Sequence, residues 1–273
     1  MTTMRLAIHR EAALAAEHLA SGATCLGNAS YVQQAYYYQA FFALSVGFER
    51  SAKLALAIDH RLRTGSYPSE PGLRNFGHKL DKLMMRLGGI AEQRCASDEW
   101  GVWPATPIHE AIIDSLSDFA SNVTRYYNLD LITESPRLAP VNPLLAWHQS
   151  VFLPTAAAHY SDKRRAKDEA TATAISEMVG EHASVYFSTE TDNVLTDVAA
   201  TASASAITAA TQPWVRMYVL QIARFVAVVL SSLGRAALQQ SCEEIPYLQD
   251  YYQCFLNDDS TFRRRKIWSI YRM

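Results

Sequence analysis

Two pairs of side chains, each four residues apart, carry the first chemical signal in this chain. Arg74 precedes His78, and Glu49 precedes Lys53. On a helix a separation of four puts both members of a pair on one face. An imidazole titrates near neutral pH and can give or take a proton. A guanidinium holds a phosphate in a fork of N–H donors. Arg74 and Arg125 are both candidates for that task, and Asn75 lies beside the first pair. Each residue also has a plain reading. His78 suits a helix surface or a satisfied core position, and Glu49–Lys53 suits a solvated helix pair. Arg125 suits an interaction with helix C-terminal carbonyls. The aromatic run Tyr36, Tyr37, Tyr38, Phe41 and Phe42 reads as core and interface before it reads as a base-stacking platform. FRRRK at 262–266 is a local basic patch, either a phosphate contact or a solvated terminal helix.

Other chemistry has no foothold. The sequence holds no phosphate-loop or dinucleotide glycine motif, no HExxH and no GxSxG. Its histidines are not spaced as metal ligands, so neither metal nor cofactor is expected. Cys25, Cys95, Cys242 and Cys254 form no CxxC pair. With no signal-peptide core near the N-terminus, the expectation is cytoplasmic residence with reduced thiols. The sequons at Asn28 and Asn122 are then chance matches. A formal net charge of −2 leaves no overall basic field to attract nucleic acid or membrane.

The elements that must position these residues read as helices throughout. A first helix is expected over 4–20, broken by Gly22, Gly27 and Asn28. Ser30 then caps a helix of about nine turns reaching residue 63, in which Gly47 allows either a close packing neighbour or a slight bend. A third helix spans 73–87, ended or weakened by Gly88 and Gly89, and a fourth spans 108–127. Pro136, Pro140 and Pro143 mark a domain boundary or an ordered connection. A charged helix follows from Ser161 to about residue 187, with a break at 189–192. Residues 193–210 are either a small-residue helix or a flexible connection. The apolar stretch 214–234 contains Arg216 and Arg224. Those charges argue against a membrane span. On a helical wheel Arg216, Gln221, Arg224, Ser232 and Arg235 face solvent opposite a core-facing stripe. Shorter helices are expected at 246–257 and 259–270. Nine of the eleven glycines precede residue 102, so the second half is poor in turns. The fold class is therefore all-α, a multi-helix bundle with a first region at 1–135 and a second at 144–273.

Four segments taken in order resemble a HEPN domain, a helical bundle found with nucleotidyltransferases, in toxin–antitoxin pairs and in antiviral ribonucleases. They are YYYQAFFALSVGFERSAKLALAIDH at 36–60, LRNFGHKLDKLM at 73–84, the helix from Ile108, and TRYYNLD at 124–130. The resemblance covers residues 30–132. It implies an acidic residue and a lysine one turn apart, here Glu49 and Lys53. It also implies a histidine followed by a Leu-x-x-Leu pattern, here His78, Leu80 and Leu83, and an Arg-Tyr ending at Arg125 and Tyr126. Catalytic members carry four to six residues between an arginine and a histidine, whereas Arg74 and His78 are separated by three. The resemblance implies RNA or a nucleotide as the partner, a site at a homodimer interface, and metal-independent RNA cleavage in a defence or toxin–antitoxin setting. In that chemistry His78 is the base or acid and Arg74 or Arg125 holds the phosphate. RNA is singled out by its 2′-OH. Two other readings stand beside this one: a non-catalytic helical interaction protein, and a small-molecule-binding bundle with the aromatics lining a pocket.

Overall fold

Alanine-rich segments with apolar residues three and four apart satisfy their backbone and bury their apolar stripe as helices. The computed structural model, which describes residues 2–121, 124–179 and 182–271, is built almost wholly of them. In chain order they are α1 (Thr3–Asn28), α2 (Ala35–Thr64), α3 (Glu70–Arg74), α4 (Leu80–Arg94), α5 (Pro107–Ala120), α6 (Tyr127–Ile132), α7 (Pro143–Trp147), α8 (Leu153–His159), α9 (Asp162–Val179), α10 (Val198–Gln239), α11 (Gln249–Tyr252) and α12 (Asp259–Arg264). The described residues contain one antiparallel hairpin, β1 (Phe187–Ser188) with β2 (Val194–Leu195), Phe187 facing Leu195.

The frame is α1 and α2 packed antiparallel. Gly22 lies against Leu44, and Gly47 lies against Leu19. A Cβ on Gly47 would sit 2.9 Å from the backbone nitrogen of Leu19, so glycine sets how closely the axes approach. This is the close neighbour anticipated for Gly47. Helix α10, about 63 Å long at 1.5 Å per residue, packs against α1, α2, α4, α5, α8, α9 and α12. By length and composition it could cross a membrane, yet 83% of its apolar window is buried inside the bundle. Buried apolar residues from Ile8 to Trp268 form one cluster. Buried residues on both sides of the 136–143 segment contribute to it.

Several sequence expectations give way to tertiary contacts. Helix α1 runs through Gly22 and Gly27 to Asn28, because both glycines face packing partners. Helix α2 begins at Ala35, and Ser30 instead makes a turn whose Oγ accepts from the Gln33 N–H. The helix expected over 73–87 is two helices, separated at 75–79, with Gly77 at φ +71°. Helix α4 then continues through Gly88 and Gly89 to Arg94. Helix α5 stops at Ala120; Val123 lies outside the described residues. The charged helix α9 ends at Val179, short of the expected residue 187, where β1 instead begins. Helix α10 takes in both the alanine-rich stretch and Pro213 without interruption. Only part of its polar stripe faces solvent: Arg235 is exposed, whereas Arg216, Gln221 and Arg224 are covered by residues 257–263.

Candidate functional site

Helix α2 presents Phe42, Glu49 and Lys53 along one face, since spacings of seven and four return to the same side. Phe42 is exposed, while Glu49 and Lys53 are partly covered. Lys53 Nζ donates to Glu49 Oε1 at 2.8 Å. His78 Nδ1 lies 2.9 Å from the same oxygen. Three of the sequence-predicted residues therefore meet in one hydrogen-bonded cluster drawn from two elements.

His78 is held there by the start of α4. Leu80 and Leu83 are fully buried and anchor the helix against the core. The Leu80 N–H, one of the orphan donors of a helix N-terminus, donates to Ser117 Oγ of α5 at 3.0 Å. Lys79 supplies no side-chain cap of its own. The cap is thus borrowed from another helix, and the turn before it directs His78 outward across α2. A carboxylate only accepts, so the contact to Glu49 places the proton on Nδ1 and leaves Nε2 toward solvent. The His78 side chain is 70% exposed.

Arg74 is not part of this cluster. It ends α3, pairs with Glu70 at 2.5 Å, and its side chain is 79% exposed. The shared helical face anticipated for Arg74 and His78 does not form, because Gly77 and the 75–79 turn end the helix between them. Asn75 is exposed in that turn. Arg125 joins the same side of α2 through Phe42. Its guanidinium lies 5.2 Å from the Phe42 ring and 5.4 Å from Phe119. Its Nε is buried without a hydrogen-bond partner among the described residues. Tyr126 is exposed at the start of α6. The aromatic run divides: Tyr37 and Phe41 are core, Tyr38 leans on Phe119, and Phe42 alone of the five is largely exposed.

Two constellations had no separate signal in the sequence. Asp59, 4% exposed, accepts from Arg63 at 2.7 Å and from Arg94 through Nε and Nη2 at 3.1 and 3.0 Å. The i,i+4 step to Arg63 was legible, but the approach of Arg94 depends on the α2–α4 packing. Buried His109 bridges Thr106 Oγ1 and Gln221 Oε1 at 2.7 and 2.8 Å, and burial pushes its pKa down. Gln221 in turn donates to Asp259, which pairs with Arg224. Among the described residues no three His, Cys, Asp or Glu side chains converge as metal ligands.

Fold and site together define an all-α bundle carrying an exposed imidazole oriented by a carboxylate on a long helix. Compared with family models, with curated proteins and with solved structures, the chain finds no match.

Proposed function

We propose that this protein is HEPN-like and engages RNA or a nucleotide on the α2 face, with His78 as the proton-transfer group of a metal-independent ribonuclease that works as a homodimer in the cytoplasm, within a defence or toxin–antitoxin system. The observation that carries the reading is the convergence of His78, Glu49 and Lys53 on one carboxylate oxygen. Glu49 orients the imidazole. Its free Nε2 can take the ribose 2′-OH proton or protonate the leaving oxygen. Lys53 and Arg125 supply positive charge along the same face. Arg74, exposed at the end of α3 and paired with Glu70, stands outside this cluster and can meet a phosphate there or across from a second copy. Purified protein is expected to cleave structured RNA in the presence of EDTA. His78→Ala is expected to abolish cleavage with helicity unchanged by circular dichroism. Equal cleavage by wild type and His78→Ala overturns the catalytic reading.

A second reading rests on α6, where Leu129, Leu131 and Ile132 all point outward. An apolar surface of that kind suits a protein partner, as in a non-catalytic interaction module. Binding of RNA without cleavage, unchanged in His78→Ala, would favour it.

A further inference from the structure

A groove of about 420 Å³ lies between the end of α1 with the turn after it, the first half of α10, and the end of α12 with the segment that follows. Gly27, Ser30, Gln212, Arg216, Arg263 and Lys266 are among its lining residues. Arg216 is the unusual member. It is 3% exposed, yet no carboxylate among the described residues lies within ion-pair distance. Its Nε and Nη2 donate to the carbonyls of Phe262 and Arg263 at 3.2 and 2.7 Å, closing the last turn of α12. Its Nη1 rests on Gly27 at the groove wall, where a Cβ would overlap it. Burial lowers the pKa of this guanidinium, the direction taken by a cation whose surroundings do not compensate its charge.

The rest of the groove has the same character. Arg263 lies 4.2 Å from the Trp214 ring, which holds it in place, and its Nε is buried without a partner among the described residues. Lys266 is exposed at the rim. Neither forms an ion pair among the described residues. Gln212 donates to the Leu26 carbonyl, which fixes its amide at the groove floor. Three cations from two segments thus converge on one cavity with no anion to balance them. Carbonyl contacts solvate part of a buried guanidinium, but an oxyanion in the groove would satisfy its remaining N–H donors in the charge-assisted geometry that arginine favours. The basic run at 262–266 has a destination here: its first arginine and its lysine line the groove.

We infer that the groove formed by Arg216, Arg263 and Lys266 is a binding site for a tetrahedral phosphate dianion, either inorganic phosphate or the terminal phosphate of a monoester. The charge of three cations matches a dianion better than a single carboxylate, and the volume leaves room for a substituent on the phosphate. The site is separate from the α2 face and does not depend on the activity proposed there.

Thermal unfolding of the full chain at constant ionic strength tests this, with sodium phosphate, adenosine monophosphate and sodium acetate titrated against chloride. A ligand that binds only the native state raises the midpoint by about 5 °C at one hundred times its Kd. Such a rise is expected with phosphate, with the nucleotide, or with both. A rise at lower nucleotide than phosphate concentration assigns the monoester; a rise with phosphate alone assigns the free ion. The R263A/K266A variant, which leaves buried Arg216 in place, is expected to lose the shift, and H78A to keep it. R216M, which replaces the buried cation by an apolar chain, is expected to fold and to be indifferent to phosphate; should it fail to fold, the double variant decides. No rise above chloride, an equal rise with acetate, an undiminished rise in R263A/K266A, or its loss in H78A overturns the proposal.

Discussion

His78 Nδ1 and Glu49 Oε1 lie 2.9 Å apart although the two residues are twenty-nine positions apart in the chain. The contact is made by an exposed turn reaching over a helix face. Its effect falls on the chemistry of the imidazole more than on stability, because an exposed pair contributes little to folding.

Glu49→Gln is expected to lower RNA cleavage about 10- to 100-fold, part of the roughly 10²–10⁴ contribution of general acid–base catalysis. The amide no longer selects one imidazole tautomer. Arg74→Ala is expected to change single-chain RNA affinity by less than about twofold, since Arg74 stands apart on Glu70. Arg74→Ala should unfold within about 0.5 kcal/mol of wild type in urea, and Glu49→Gln, which keeps an acceptor for the half-buried Lys53, within about 1–2 kcal/mol. A larger loss for Arg74→Ala in cleavage than in affinity would place Arg74 in a site shared between two copies.

The ion triad at Asp59 gives a stability test. Asp59→Ala is expected to cost about 3–5 kcal/mol, because Arg94 is then left partly buried without its carboxylate. Arg63→Ala should cost about 0.5 kcal/mol or less, as that side chain is mostly exposed. Urea denaturation of the two variants separates these outcomes; similar losses in both would mean that burial does not govern the triad.

Glycines in α2 and α4 should respond in opposite directions to the same substitution. Gly47→Ala gains helix propensity of about 1 kcal/mol. It also forces a Cβ to 2.9 Å from the Leu19 backbone, and overpacking of that kind costs about 1–3 kcal/mol. Net destabilisation is expected. Gly88→Ala and Gly89→Ala meet nothing within 4 Å and should each stabilise by about 0.5–1 kcal/mol. Thermal midpoints read both signs directly.

Acid should destabilise the bundle through His109. Desolvation, the largest cause, lowers its native pKa below the ordinary 6.5; Gln221 and Asp259 oppose that shift and Arg224 adds to it. The unfolded chain therefore binds a proton that the native state resists. Stability is fully present above 6.5 and is lost as pH falls from there toward the native pKa. His148 and His159 shift in the same direction, also chiefly by burial. The urea midpoint is expected to fall between about pH 7.5 and pH 5.5, and His109→Gln should flatten part of that fall. An identical pH profile in His109→Gln would remove His109 from the account.

The fold class was legible because apolar spacing and scarce turn residues act locally. The stripes of α2, α5 and α10 follow from three-and-four spacing, and the Glu49–Lys53 pair follows from one turn of helix. Leu80 and Leu83 were legible as a pattern, and both are core. What the spacing of Arg74 and His78 did not contain was the break between them. That break depends on Gly77 adopting a left-handed conformation and on Ser117, thirty-seven residues from Leu80, capping the new helix. The Gly22 and Gly27 positions read as breaks for a similar reason: a glycine looks the same in sequence whether it ends a helix or admits a neighbour.

By itself the sequence determined that this chain folds as helices and that Glu49 and Lys53 share a face. Only the tertiary structure decided that His78 joins them while Arg74 does not, and that Arg216, Gln221 and Arg224 of α10 lie beneath the C-terminal segment. It also brought Arg216 and the basic run at 262–266 to one groove. Local periodicity sets which way a side chain points from its own helix; packing between distant segments sets what it meets there.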